Sequence, residues 1–351
     1  MILITIDGLR WQEVFSGVQE DILRDKNSVK YLAKLEKRYL KGNALANRAA
    51  LMPFMWNTIA KQGVLIGDRQ QQSNMSVAND LHFSYPGYSD LLTGVVNPDI
   101  NSNAKVLNNE VSFLEWLNHQ PEYGHSVAVF GSWDVFPFIV NKPRSQLHVN
   151  AGFDSAHSYE LSEQMLLLNQ LQTEIPSPWQ TVRLDSFTYR FAKDYLTTVK
   201  PRVMMIAFGE TDDFAHDGNY QAYLEAATRT DQFINDLWLT LQSMQQYKDN
   251  TNILIVTDHG RGSNLIDWQH HASKSSLQGY MKGLAQFENG IEGSEHIWMA
   301  ALGPDIKASG ILKTNKELKQ TQIPATALTL LNENKNNFNQ NAAAAITEIL
   351  K

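Results

Sequence analysis

The chain has 351 residues, is 43% hydrophobic, carries a formal net charge of −7 and contains no cysteine. This length and apolar content suffice for a full α/β core, and the negative charge gives no electrostatic reason to bind nucleic acid or an anionic membrane. The missing cysteines exclude disulfides, thiolate metal sites and a cysteine nucleophile. No apolar run approaches the roughly 20 residues that a membrane-spanning helix needs.

Short apolar runs bounded by turn residues alternate along the chain with amphipathic stretches. This pattern predicts an α/β fold with a doubly wound, mostly parallel sheet and helices on both faces. One helix is predicted from about Tyr220 to Tyr247, and another starts near Ser158. The second helix is expected to bury Leu161, Met165, Leu166 and Leu168. The predicted strands are 2–6, 63–67, 126–130, 202–208, 252–257 and 297–302.

No composition break or internal repeat marks a linker, so residues 1–351 are predicted to form a single domain. Two segments are expected to be insertions. Residues 17–60, rich in charge and then in Ala, Asn and Met, are predicted to be helical, and residues 272–295 to form a loop. Because an apolar strand directly follows Met1, we expect that a signal peptide was trimmed, which favours a periplasmic or secreted location over a cytoplasmic one.

Acidic and histidine side chains stand at four predicted strand ends. Asp7-Gly8 alone would be ordinary turn chemistry. Ligands of open α/β sheets bind beyond the carboxyl ends of the strands, however, so the four groups are expected to meet. Carboxylate and imidazole ligands together suit zinc or manganese, and three of each suffice for two metal ions that share a nucleophile oxygen. The candidate ligands are Asp7, Asp212, His216, Asp258, His259 and His296.

The candidate nucleophile is Ser84, in the segment FSYPGYSDLLTG at 83–94. Pro86 and Gly87 impose a turn before a helical pattern. A hydroxyl at a helix N-terminus benefits from the positive end of the helix dipole, which also favours a bound phosphate. Close to a metal ion, a serine loses its proton without a histidine base. The alternative is that Ser84 only caps a helix.

Taken in order, these motifs resemble the alkaline-phosphatase superfamily, and within it the type I phosphodiesterases and nucleotide pyrophosphatases. The resemblance covers residues 1 to about 305. It implies that Asp212, His216 and His296 hold one divalent metal ion, and that Asp7, Asp258 and His259 hold the other, with Ser84 bridging toward it. The matching segments are ILITIDGLRWQEVF (2–15), FSYPGYSDLLTG, GETDDFAH (209–216), IVTDHGRG (255–262) and GSEHIWMAALGPDI (293–306).

The resemblance implies metal-dependent hydrolysis of a small phosphate ester. Ser84 would attack phosphorus to give a phosphoseryl enzyme, which water then hydrolyses, while two ions of zinc, or else manganese, stabilise the developing charge. The alternatives are a sulfatase, a phosphoglycerate-mutase-like phosphotransferase and a non-catalytic relative that binds phosphorylated ligands. The missing arginine of the formylglycine motif argues against a sulfatase, and residues 94–211 leave no room for the inserted domain of the mutases. The intact Ser84 argues against a non-catalytic relative.

Two departures concern phosphate recognition. Gly87 stands where many relatives have Asn. No clear equivalent exists for the arginine with which alkaline phosphatases bind free phosphate oxygens, although Arg10 and Arg261 lie close to motifs, and this favours diesters. The candidates for a phosphate-binding amide are Asn101, Asn103, Asn108 and Asn109.

Other polar residues near the motifs receive a structural interpretation. His270 and His271 are interpreted as part of a solvated loop, with contact to substrate or metal as the alternative. Glu210 and Asp213 are expected to support the ligand histidines. An aromatic patch is expected to pack in the core rather than to floor a pocket: Trp133, Phe136, Pro137 and Phe138. The histidines without ligand spacing are His82, His119, His125, His148 and His157.

Overall fold

The computed structural model describes residues 1–157, 159–314 and 316–351. Its centre is an eight-stranded sheet of order β5-β4-β6-β1-β7-β8-β2-β9, and a two-stranded ribbon pairs β10 with β3. The strands are β1 Ile2–Ile6, β2 Val64–Ile66, β3 Met75–Ser76, β4 Val127–Gly131, β5 His148–Ala151, β6 Val203–Phe208, β7 Ile253–Val256, β8 Met299–Leu302, β9 Gly310–Ile311 and β10 Leu318–Lys319.

Helices surround this sheet. Those preceding β4 are α1 Trp11–Ser16, α2 Glu20–Leu23, α3 Leu32–Tyr39, α4 Ala44–Leu51, α5 Ala60–Gln62, α6 Ser84–Thr93 and α7 Phe113–Asn118. Those following it are α8 Phe136–Ile139, α9 Lys142–Ser145, α10 Glu163–Glu174, α11 Asp185–Thr198, α12 Glu210–His216, α13 Tyr220–Ser243, α14 Ile323–Leu330 and α15 Lys335–Phe338. A π-helical turn covers Met55–Ile59, and 3-10 turns cover Arg69–Gln71, Ser276–Gln278, Lys282–Leu284, Gln320–Gln322 and Thr347–Ile349.

The sheet is mostly parallel, as predicted. Strand β1 pairs in parallel with β6 on one side and with β7 on the other. Strands β4 and β5 continue the parallel order beyond β6. Strand β8 runs antiparallel to both of its neighbours, β7 and β2. The predicted fold class is therefore confirmed.

The central strand β1 is buried along its whole length, as its apolar sequence ILITI requires. Side chains alternate between the two faces of a strand. Ile2, Ile4 and Ile6 therefore join one hydrophobic core, which includes helix α13, while Leu3 joins the other, which includes helix α6. Two cores on opposite faces are typical of a doubly wound sheet.

The predicted helices are confirmed in part. Helix α13 starts at Tyr220 as predicted but ends at Ser243. Helix α10 begins at Glu163, whereas the predicted start at Ser158 lies outside the described residues. Met165 is buried, and Leu161 and Leu168 pack partly buried against the core. The predicted burial of Leu166 is wrong: this side chain is 56% exposed, because it follows Met165 by one residue and so lies about 100° away around the helix.

The two segments expected to be insertions have the predicted local structure. Residues 17–60 contain helices α2, α3 and α4, whereas residues 272–295 form a loop with two 3-10 turns. Their standing as insertions in one catalytic domain stays a prediction. Among the described residues, no helix is both long and apolar enough to cross a membrane.

Candidate metal centre and active site

Three neighbouring strands deliver the candidate ligands to one edge of the sheet. Strands β6, β1 and β7 lie side by side and run in the same direction. Asp7 directly follows β1, helix α12 follows β6, and the pair Asp258 and His259 follows β7 after one residue. The motifs therefore converge, as the sequence predicted, because the carboxyl ends of parallel strands share an edge.

Asp7, Asp258 and His259 form the first cluster, and all three are buried. His259 Nε2 lies 3.4 Å from Asp7 Oδ1 and 3.5 Å from Asp258 Oδ2. His259 Nδ1 lies 3.0 Å from the carbonyl oxygen of Gly260, which can only accept a hydrogen bond. When it is neutral, as a metal-binding imidazole must be, the His259 ring therefore carries its proton on Nδ1 and presents the Nε2 lone pair to the cluster.

Asp212, His216 and His271 form the second group. Asp212 Oδ2 lies 3.2 Å from His216 Nε2, and His216 Nε2 lies 3.1 Å from His271 Nε2. His271 is only 2% exposed, and its Nδ1 donates to the carbonyl oxygen of His82 over 2.9 Å. The interpretation of His271 as part of a solvated loop is thus wrong, because its side chain is buried and lies against His216. His270 beside it is partly exposed.

His296 has other contacts than those predicted. Its Nε2 lies 3.1 Å from Glu295 Oε1. In the part of the chain that the structure describes, no hydrogen bond or ion pair joins His296 to Asp212 or His216. The structure therefore brings five of the six predicted acid and histidine residues together and adds His271 to them.

Ser84 lies beside the first cluster. It is buried in the first turn of helix α6, and its Oγ lies 3.3 Å from His259 Nε2. One turn later, the Tyr88 hydroxyl donates to Asp7 Oδ2 over 3.0 Å. A Cβ atom on Gly87 would lie 2.6 Å from the carbonyl oxygen of Asp258. The close packing of α6 against the end of β7 explains why glycine occupies this position.

The donor set of the first cluster fits a bound cation. Asp7 Oδ1 and Asp258 Oδ2 are buried without a hydrogen-bond partner. Burial, and then the charge of Asp212, raise the pKa of Asp7, and burial with the charge of Asp7 raises that of Asp258. Buried carboxylate oxygens of this kind require a compensating positive charge, and an ion held by oxygen and imidazole nitrogen supplies it.

Arg261 supplies part of the positive charge. It is buried, and its Nη2 pairs with Asp212 Oδ1 and donates to the Asp212 carbonyl oxygen over 3.0 Å. Burial would raise the pKa of Asp212, but Arg261 and then His216 hold it well below its ordinary range. Arg10 is likewise buried and paired with Glu13. Both arginines near the motifs are therefore engaged within the protein.

A cavity of about 330 Å³ opens beside these groups. Ser84, Asn103 and Lys105 all line it. Asn103 Oδ1 accepts a hydrogen bond from the backbone N–H of Tyr85 over 3.0 Å, whereas Asn108 is buried and donates to Ser89 Oγ. Asn103 is therefore the predicted amide whose contacts place it next to the nucleophile.

Lys105 lies in the same cavity and is held by an acid. Its Nζ lies 2.6 Å from Asp134 Oδ2, with the two side chains 48% and 22% exposed. Trp133 also lines the cavity, while Phe136 behind it is buried in the core. The prediction of core packing thus holds for Phe136, and Trp133 forms part of the cavity wall.

Glu210 and Asp213, the neighbours of Asp212, have different environments. Glu210 is buried, accepts the backbone N–H of Asp185 over 2.9 Å and pairs with Arg229, so it contacts the backbone and not the ligand histidines. Asp213 lines the cavity. Burial and then the charge of Asp212 raise the pKa of Asp213 to about 9.

Comparison with known proteins identifies the family and the fold. The family model of type I phosphodiesterase / nucleotide pyrophosphatase matches residues 52–326. The chain belongs to this family, and its fold is that of the alkaline phosphatases. The matched span includes Ser84 and the motifs from Asp212 to His296. No curated protein matches the sequence.

Three solved structures illustrate the shared fold. Wild-type alkaline phosphatase PafA matches with a TM-score of 0.61 and 10% identity, over 100% of this chain and 98% of the other. The phosphonate monoester hydrolase SpPMH from Silicibacter pomeroyi matches with a TM-score of 0.56 and 14% identity, over 99% of this chain and 76% of the other. BT1596, a 2-O GAG sulfatase, matches with a TM-score of 0.54 and 12% identity, over 99% of this chain and 73% of the other.

Proposed function

We propose that the protein hydrolyses small phosphate esters, with a preference for diesters, through a phosphoseryl intermediate on Ser84 and with two divalent metal ions. The observation that carries this proposal is the distance of 3.3 Å between Ser84 Oγ and His259 Nε2. His259 belongs to the first cluster, and its Nε2 also lies 3.7 Å from Asp212 Oδ1 of the second group. A nucleophile at the junction of two such groups is the arrangement that two-ion ester hydrolysis requires.

The residues present fit two ions. We assign Asp7, Asp258 and His259 to one ion and Asp212, His216 and His271 to the other. His271 takes the place that the family resemblance implied for His296, because its Nε2 lies 3.1 Å from His216 Nε2. When bound, zinc or manganese ions supply Lewis acidity, which neutralises negative charge on the oxygens of the reacting phosphate.

The residues of the chain have distinct tasks in this reaction. Ser84 Oγ attacks phosphorus, and one ester oxygen leaves as an alcohol that takes up the Ser84 proton. Water then attacks the phosphorus of the phosphoseryl enzyme and restores the Ser84 hydroxyl, which releases a phosphate monoester from a diester substrate or inorganic phosphate from a monoester. Helix α6 directs the positive end of its dipole at the reacting phosphate, because Ser84 lies in its first turn. Asn103 uses its Oδ1 on the Tyr85 N–H, which leaves its amide N–H groups for a phosphate oxygen.

The preference for diesters follows from the cations near the phosphate. A monoester dianion has one more charged oxygen than a diester. Arg10 and Arg261 are engaged with Glu13 and Asp212. Among the described residues that line the cavity, the remaining cation is Lys105, which Asp134 already neutralises in part. The site therefore favours the substrate that carries less charge.

Hydrolysis of bis(p-nitrophenyl) phosphate by zinc-loaded protein tests the proposal. We expect turnover by the wild type, a loss of roughly 10³-fold or more in Ser84→Ala, and unchanged zinc content in that variant. p-Nitrophenyl phosphate and p-nitrophenyl sulfate are the comparison substrates. Faster turnover of the sulfate, or full activity in Ser84→Ala, would refute the proposed function.

A further inference from the structure

Helices α11 and α12 begin directly against each other behind the metal centre. Helix α11 starts at Asp185 and helix α12 at Glu210. Both carboxylates are almost completely buried, at 1% and 2% exposure. Two helix N-termini that meet in the protein interior leave several backbone N–H groups in need of acceptors.

Each carboxylate binds the backbone N–H of the other helix. Asp185 Oδ1 accepts from Gly209 N over 2.8 Å, and Asp185 Oδ2 accepts from Glu210 N over 3.2 Å. In return, Glu210 Oε1 accepts from Asp185 N over 2.9 Å. The Ser132 hydroxyl also donates to Asp185 Oδ1, over 2.6 Å. Asp185 thus caps α12 from a residue that is distant in the sequence, and it is itself fixed by a buried hydroxyl.

Helix α12 depends on such fixation because it has only seven residues. It carries Asp212 near its start and His216 at its end. Its second tether is the Thr211 hydroxyl, which donates to the carbonyl oxygen of Asp7 over 2.5 Å. Without Asp185, two buried N–H groups would lose their acceptors and the first turn, which includes Asp212, would be free to shift.

We propose that Asp185 is a positioning residue for the metal site of Asp212, His216 and His271, acting through the N-terminus of α12. The inference rests on the proposed function, since it assigns a role toward an ion that those residues hold. Asp185 contacts neither the cavity nor the ligand side chains. Its effect is expected on the affinity of one metal site and not of the other.

A matched control exists in Asp231. This carboxylate is also buried and also accepts two backbone N–H groups, from Phe54 over 2.8 Å and from Met55 over 2.9 Å. These groups lie at the π-helical turn Met55–Ile59 and not at a ligand helix. Asp231→Ala therefore removes the same kind of buried cap without touching the metal centre.

The test is calorimetric titration of chelator-stripped protein with zinc, together with thermal unfolding of the stripped variants. Asp185→Ala is expected to weaken the same zinc site as His271→Ala, by about 10-fold or more, and to leave the other site unchanged. Asp231→Ala is expected to lower the melting temperature to a similar degree with both zinc affinities retained. Asp185→Asn keeps one acceptor oxygen, so its zinc affinity should lie between those of Asp185→Ala and the wild type. This variant replaces Asp185→Ala in the test if Asp185→Ala does not fold.

Three results would overturn the inference. Zinc affinities in Asp185→Ala and Asp185→Asn equal to those of the wild type would make Asp185 a purely structural cap. An equal loss of zinc affinity in Asp231→Ala would show that general destabilisation is the cause. Wild-type protein that takes up no zinc would refute the proposed function itself and the inference with it.

Discussion

His216 and His271 lie with their Nε2 atoms 3.1 Å apart, although 55 residues separate them in the sequence. The other ring nitrogen of His271 donates to the His82 carbonyl, so its Nε2 presents a lone pair to His216. Two imidazole nitrogens that face each other next to a carboxylate are the ligand arrangement that zinc sites use. This contact is the reason for assigning His271, and not His296, to the metal centre.

Replacing His271 or His296 by alanine shows which of the two histidines binds the metal ion. His271→Ala is expected to weaken one zinc site by about 100-fold or more, beyond the loss typical of residues that only support a ligand. His296→Ala is expected to change zinc affinity by less than about threefold, since its contact is with Glu295 at a partly exposed position. Zinc titration and kcat/KM for bis(p-nitrophenyl) phosphate measure both effects. The opposite order of the two variants would restore His296 as the ligand.

Lys105 is expected to set the ratio of monoester to diester hydrolysis. Removing its charge in Lys105→Ala should lower kcat/KM for p-nitrophenyl phosphate about tenfold more than for bis(p-nitrophenyl) phosphate, because the monoester carries the extra charge. Asp134→Asn, which releases Lys105 from an exposed pair, should raise the ratio about two- to threefold.

The control for this ratio is Lys34→Ala, which removes another exposed lysine with an acidic partner, Glu225. It should leave the ratio unchanged. Equal losses on both substrates in Lys105→Ala would show that Lys105 does not distinguish the two phosphate charges.

Gly8 is expected to tolerate no side chain. Its φ is +56°, and a Cβ atom would lie 2.6 Å from Asp212 Oδ1 and 2.8 Å from Arg261 Nε. Gly8→Ala should therefore lower the free energy of unfolding by more than the roughly 1–2 kcal/mol of a left-handed backbone and should also weaken zinc binding. Gly42, with φ of +92° and nothing within 4 Å of its Cβ position, provides the control. If Gly8→Ala and Gly42→Ala lower the free energy of unfolding in urea by the same amount, steric contact at Gly8 is unimportant.

Asp231 is expected to make stability fall with rising pH. Burial raises its pKa to about 7 from an ordinary value of 3.8, although the Phe54 and Met55 N–H groups oppose the shift. The folded state thus holds a proton that the unfolded state releases between about pH 4 and pH 7, and the contribution of Asp231 to stability is lost across that window.

Urea unfolding of the wild type and of Asp231→Asn at several pH values measures this contribution. Between about pH 4 and pH 7, the free energy of unfolding of the wild type should decrease relative to that of Asp231→Asn by about 1 kcal/mol per pH unit. A difference between the two proteins that does not vary with pH would show that Asp231 has an ordinary pKa in the folded state.

The sheet and the convergence of five candidate acid and histidine residues could be predicted because local sequence determines them. Strands such as β1 and β7 are continuous apolar runs, and residues such as Asp7 and Asp258 follow them within one or two positions. Once the strands are parallel neighbours, their ends must meet. The order of the motifs along the chain therefore carried most of the information about the site.

His271 could not be predicted in this way because its position depends on distant contacts. It lies in a loop, and its orientation is fixed by the carbonyl oxygen of His82, 189 residues away in the sequence. The sequence does not predict strand β5, because the four residues HVNA, with a polar Asn150, show no clear period. The pairing of Asp185 with Glu210 likewise joins residues that no local pattern connects.

The pairing of Arg261 with Asp212 has a consequence for the order of folding and metal uptake. Three aspartates placed close together would repel one another during folding. Here, however, the cation Arg261 pairs with Asp212. In addition, although burial lowers the pKa of His259, the neighbouring Asp258 and Asp7 raise it to about 9. Unlike small zinc domains, which are unfolded without their metal, this chain is expected to complete its tertiary structure first and to receive its ions afterwards. Chelator-treated protein should accordingly unfold in a single cooperative transition, at a lower temperature than the loaded form, and regain its ions without refolding.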